Sequence, residues 1–171
     1  ALFIVAAAVH TALHPDRNIL TYRAREIVEA LVEREVSRLH GMAEERKLHD
    51  PYALARILAL ATLSGSLSTE RISQLCADAS LEIGLPGGED ATCLLKDCGL
   101  LSDGTVGPLT PDIVGAAFVS SILRKRPKVA GELVWASIGT DDPQPAFERI
   151  GRLSYDAEVT LGIQDGRLSD W

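Results

Sequence analysis

Positive charge is scarce in this chain: 17 Lys and Arg stand against 24 Asp and Glu, for a net charge of −7 at pH 7. A net charge of this sign argues against a general affinity for nucleic acid or anionic membranes. Aromatic residues make up only 5% of the 171 residues while Ala and Leu are abundant, which argues for helix-on-helix packing and against a β-sandwich. There are three cysteines, Cys76, Cys93 and Cys98, an odd number without C-x-x-C spacing. Neither a disulfide framework nor a structural zinc site is expected from them, and a reducing, cytoplasmic setting fits plain thiols. The opening apolar run, Ala1–Leu13, is too short for a bilayer, which takes about 20 residues. It also has no basic leader of the kind that precedes a signal sequence, so it is expected to be a buried helix of a longer or trimmed chain.

The usual signatures of chemistry are missing as well. No G-x-x-x-x-G-K-[ST] is present, and no strand ends in paired acids, so the chain alone is not expected to hold or hydrolyse a nucleotide. "GLPGGED" is glycine-rich but has no Lys and is better explained as a loop between helices. His10, His14, His40 and His49 lack metal-ligand spacing, no Ser lies in G-x-S-x-G, and Cys93 has no His partner in sequence. The sequence therefore proposes no catalytic and no metal-binding residue, and the chain is not expected to be an enzyme.

What is present is a succession of helical patterns. The first covers Leu2–Leu13 and is apolar nearly all round. After the turn "HPDRN", Thr21 stands as N-cap of a long amphipathic helix with Ile27, Val28, Leu31, Val32, Val36 and Leu39 on one face. The polar run "GMAEERKLHD" reads as its frayed end or a linker. Asp50-Pro51 marks a new start, with Asp50 as N-cap. "YALARILALATLS" follows and is ended by Gly65. Ser68 caps "TERISQLCADA", "EDATCLLKDC" stops at Gly99, and Asp103-Gly104 between two short apolar runs signals a hairpin. "DIVGAAFVSSIL" is helical up to the basic cluster Arg124-Lys125-Arg126, and two more helices are expected at Val129–Ile138 and Pro145–Leu161. The expected fold is mainly α, with segments 1–48, 50–111 and 112–171.

Three short helices and then a hairpin give the order of a winged helix over Asp50–Pro111. Such a domain reads DNA with its third helix, but here charge opposes that use. Between Asp50 and Asp112 there are nine acids and three bases, Arg56, Arg71 and Lys96, and the third helix holds Glu89, Asp90 and Asp97 against Lys96. Phosphate contacts supply most of the baseline affinity for DNA, so a protein partner is the expected one.

Three stretches carry a resemblance. "ALFIVAAA" at Ala1–Ala8, "TYRAREIVEALVEREVSRLHG" and "GPLTPDIVGAAFV" resemble the segments that follow the nucleotide-binding core in STAND-type signalling NTPases, the NACHT and NB-ARC group. In that family a helical lid is followed by a winged helix and then by helical repeats. The resemblance, which covers about residues 1–125, implies a lid at 1–48, a winged helix at 50–111 and the start of a helical repeat in 112–171. It implies ATP or ADP only as the cofactor of a nucleotide core elsewhere in a longer protein, and protein partners: that core or other subunits. Many relatives carry Met-His-Asp where the winged helix ends, with the His sensing the β-phosphate of ADP. Here the junction reads Thr110-Pro111-Asp112, so only Asp112 matches and the phosphate-sensing His is missing. On this resemblance Asp112 is the candidate nucleotide-sensing residue, Thr110 and Pro111 the hinge, and Phe3 and Ile4 part of the lid. Read from local sequence alone, Asp112 would cap the helix that starts at Ile113.

Three functions follow. The first is a regulatory module of a larger signalling NTPase that couples nucleotide state to domain rearrangement. The second is a stand-alone winged-helix DNA regulator. The third is an all-α interaction scaffold whose basic stretch Arg124–Lys128 meets an acidic partner.

Overall fold

The structure is a computed structural model that describes residues 24–138 and 143–163. The expected helix Leu2–Leu13, the Thr21 cap, and Phe3 and Ile4 lie outside the described residues.

Helix α1, Ala24–Glu45, presents Val28, Val32, Leu39 and Ala43 as one buried stripe. The polar run around Gly41 is not a linker. The helix runs on to Glu45 because Ala43 lies one turn beyond Leu39 and is fully buried, while Glu44 and Glu45 remain in solvent. Two ion pairs line the exposed face, Arg25–Glu29 at 2.7 Å and Arg38–Glu35 at 2.6 Å.

Helix α2, Ala53–Ser64, is the centre of the molecule. Its first eleven residues, Ala53 to Leu63, are all buried, as an apolar helix must be when neighbours surround it. It is covered by α1 and by three later helices. Asp50 does not cap it. Tyr52 holds the cap position without a side-chain bond, and Asp50 accepts from the Tyr52 N–H at 2.9 Å while its other oxygen is committed elsewhere. Gly65, at φ +89°, ends the helix as expected.

Strand β1, Leu67–Ser68, leads into α3, Thr69–Ala77, where the Ser68 hydroxyl accepts from the Arg71 N–H as an N-cap. A single 3₁₀ turn, Ala79–Leu81, precedes α4, Gly88–Asp97. Strands β2, Leu101–Ser102, and β3, Thr105–Val106, form the hairpin around Asp103 and Gly104. Both turn residues have positive φ, 51° and 74°, the backbone that Asp-Gly favours in a two-residue hairpin. All pairings are antiparallel in the order β1-β3-β2, with Leu67 and Leu101 both opposite Val106. Residues 53–106 thus run helix, strand, two helices and a hairpin that closes on the first strand.

Helix α5, Asp112–Lys125, is the second central helix, with nine buried residues including Phe118 and Leu123. Helix α6, Pro127–Ser137, turns back on α2, and α7, Gln144–Tyr155, closes the other side. A π-helical turn, Asp156–Thr160, ends the described chain beside α5. One continuous apolar core joins Val28 of α1 to Ile163. The chain is thus mainly α with one small antiparallel sheet, and no helix among the described residues is long and apolar enough to cross a membrane.

Candidate functional site at the Thr110–Asp112 junction

The junction is where β3 hands the chain to α5, and its geometry is set from α2. The Thr62 hydroxyl donates to Leu58 O at 2.7 Å and accepts from the Leu109 N–H at 3.0 Å, which fixes the incoming segment against α2. Gly115 lets that segment pass close: a Cβ there would come within 2.9 Å of both Leu109 O and Thr62 Cγ2. Thr110 is exposed and Pro111 half-buried, and the peptide between them is cis. Pro111 occupies the cap position, and its carbonyl accepts from the N–H groups of Val114 and Gly115.

Asp112 is the first helical residue and makes no capping bond. Its carboxylate accepts instead from Arg149 Nη2 at 3.3 Å and Arg152 Nη1 at 3.5 Å, both on α7. Arg149 also donates through Nε to Thr62 O. One guanidinium therefore clasps the C-terminal half of α2 and the first residue of α5, and it explains Asp112 better than a local cap does. The acid also lies at the positive end of the α5 dipole. Sequence reading missed Arg149 and Arg152; the only signal was two arginines three apart on a helix, a spacing that places them on one face.

A second charged cluster ties the start of residues 50–111 and the turn at Glu82–Ile83 to Arg126, just past α5. Arg56, with its side chain 2% exposed, donates through Nη2 to Asp50 at 2.5 Å and through Nε to Ile83 O at 3.2 Å. Arg126, just past α5, reaches Asp50 at 2.7 Å and Glu82 at 2.5 Å. Burial works against the charge of Asp50, but the Arg56 hydrogen bond, the Tyr52 N–H and the fields of Arg56 and Arg126 together hold its carboxyl below the usual range. The Arg124–Arg126 cluster is therefore partly tied down: Arg126 is engaged here, and Lys125 lies 4.4 Å over the Tyr52 ring. In sequence the visible sign was Arg56 alone in an apolar helix, a buried cation that requires a partner.

Helix α4 turns Glu89, Asp90, Lys96 and Asp97 to solvent, and Asp97 pairs with Arg46 at 3.1 Å. Burial pushes the Cys76 and Cys98 thiols up, away from the thiolate form. No group of three or more metal-ligating side chains occurs among the described residues. Comparison with family models, with curated proteins and with solved structures finds no match to this chain.

Proposed function

We propose that this chain is a non-catalytic regulatory module of a larger STAND-type signalling NTPase, in which α1 belongs to the lid and the winged-helix unit docks against a nucleotide core that lies outside it. Nucleotide state is transmitted as a difference in contact between two arrangements, docked and swung away. The observation that carries this reading is the junction: Asp112, the one residue that matches the family pattern there, is held by Arg149 and Arg152 and not by its own helix end. Because Arg149 also donates to Thr62 O of α2, a movement of the winged-helix unit is felt directly at α7. The acidic third helix supports a protein partner over DNA, since Glu89, Asp90 and Asp97 repel phosphates. The exposed Trp135, Phe147, Tyr155 and Val159 on α6, α7 and the π-helical turn supply apolar side chains for contact with a protein partner.

The test is the mass of the native polypeptide, captured from its source cell with an antibody raised against this chain. A much longer chain with a phosphate-binding loop upstream of Ala1 is expected. A native chain ending near 171 residues would remove the nucleotide core and the switch with it. In that case a salt-dependent shift of duplex DNA would favour the regulator instead. The purified chain is expected to show no ATP hydrolysis, and robust turnover would sink the proposal.

A further inference from the structure

Beside the Asp50–Arg56–Arg126–Glu82 cluster lies a partly enclosed cavity of about 140 Å³, walled by Tyr52, Arg56, Ile122, Lys125, Arg126 and Leu133. We propose that this cavity binds a small organic monocarboxylate.

The polar half of the site is built for an acceptor. Arg56 spends Nε on Ile83 O and Nη2 on Asp50, while Nη1 is buried and has no hydrogen-bond partner. A buried cationic donor left unpaired is among the costliest features a fold can keep, so an acceptor belongs opposite it. Lys125 Nζ donates to Tyr52 Oη at 3.2 Å, which leaves the Tyr52 hydroxyl proton and the remaining ammonium protons available to a ligand. Arg126 contributes charge, with its Nη2 and Nη1 each already committed to one carboxylate, Asp50 and Glu82.

Charge and shape narrow the ligand class. Three cations, Arg56, Lys125 and Arg126, face two carboxylates, Asp50 and Glu82, and leave a single positive charge uncompensated. That suits a singly charged carboxylate and not a phosphate dianion. The remaining walls are the buried Ile122 and Leu133, which offer a hydrocarbon tail contact and no polar partner. An apolar cavity of about 150 Å³ accepts a benzene-sized molecule, so an acid of about six heavy atoms, such as butyrate, matches the space. Water alone would satisfy Arg56 but would leave both the charge and the aliphatic walls unmatched.

The experiment is isothermal titration of the 171-residue chain with sodium butyrate, sodium acetate and sodium phosphate at fixed ionic strength. Saturable one-to-one binding of butyrate is expected, with acetate weaker and phosphate at least about tenfold weaker, the discrimination a single extra charge and a lost tail contact produce. Lys125→Met, at an exposed position, should weaken butyrate about tenfold or more without moving the melting temperature, whereas Lys128→Met, outside the cavity, should change nothing. Should Lys125→Met fail to fold, Tyr52→Phe removes one donor and leaves the ring in place. No saturable butyrate binding, or equal binding by the Lys125 and Tyr52 variants, would assign the cavity to water and overturn the proposal. Phosphate binding as tight as butyrate would overturn the ligand class.

Discussion

Two aspartates carry ion pairs of different worth, and burial decides which matters for stability. Asp50 is 14% exposed and pairs with Arg56, which is 2% exposed; Asp112 is 30% exposed, and its partners stand at 3.3 and 3.5 Å. Asp50→Ala strands a buried guanidinium and should cost about 3–5 kcal/mol. Asp112→Ala breaks pairs that solvent already screens and should cost under about 1 kcal/mol. Urea unfolding of both variants separates them, and equal losses would contradict the ranking. The pH dependence follows from the same residue. The Asp50 pKa is lower in the folded than in the unfolded chain, so the unfolded state takes up the proton first on acidification. Its contribution is therefore present in full above about pH 4, the ordinary Asp range, and is lost as pH falls through the depressed folded value. In Asp50→Asn that part of the acid loss should vanish, which shows as a flatter stability curve below pH 4 than in the unaltered chain.

At the scale of elements, glycine position separates helices that must approach from those that need not. Gly115 of α5 would drive a Cβ to 2.9 Å from the Leu109 carbonyl oxygen, a backbone atom that cannot step aside. Gly115→Ala should therefore destabilise by about 1–3 kcal/mol despite the better helix propensity of Ala. Gly131 in α6 and Gly151 in α7 have nothing within 4 Å of a would-be Cβ, and Ala at either should stabilise by about 0.5–1 kcal/mol. Thermal melts of the three variants test the contrast in sign.

The same scale shows what could be read in advance. The hairpin at Asp103-Gly104, the Ser68 cap and the Gly65 stop were legible because each is local chemistry within four residues. Asp50 and Asp112 were both expected as caps, and both are ion-pair centres instead. Arg56, the buried partner of Asp50, lies only six residues on, but Arg126 lies 76 residues from Asp50 just past α5, and Arg149 and Arg152 lie 37 and 40 residues from Asp112 on α7, where no local pattern announces them. The extension of α1 past Gly41 was hidden because one Ala in a polar run gives little signal, although tertiary contact buries it completely.

Across the whole molecule, residues 50–111 and the helices around them share one core. Ala53 to Leu63 are buried on every side of α2, and much of that cover comes from α1, α5, α6 and α7, outside residues 50–111. A swing about Thr110 and Pro111 must part Arg149 from Thr62 O, Arg126 from Asp50, and the apolar face of α2 from α5. Each buried Leu or Ile exposed in that way costs about 1.5–3 kcal/mol, so a signal that reaches this junction must come with a binding energy of its own. Residues 50–111 expressed alone should therefore show no cooperative melt and little chemical-shift dispersion. Residues 24–163 should unfold in one transition, because the core that runs from Val28 to Ile163 has no internal boundary. Circular dichroism melts and proton–nitrogen correlation spectra of the two fragments decide the matter. A cooperative, well-dispersed 50–111 fragment would show that the hairpin and its three helices hold themselves together, and that the contacts of Arg149 with Thr62 O and of Arg126 with Asp50 join two independently folded bodies.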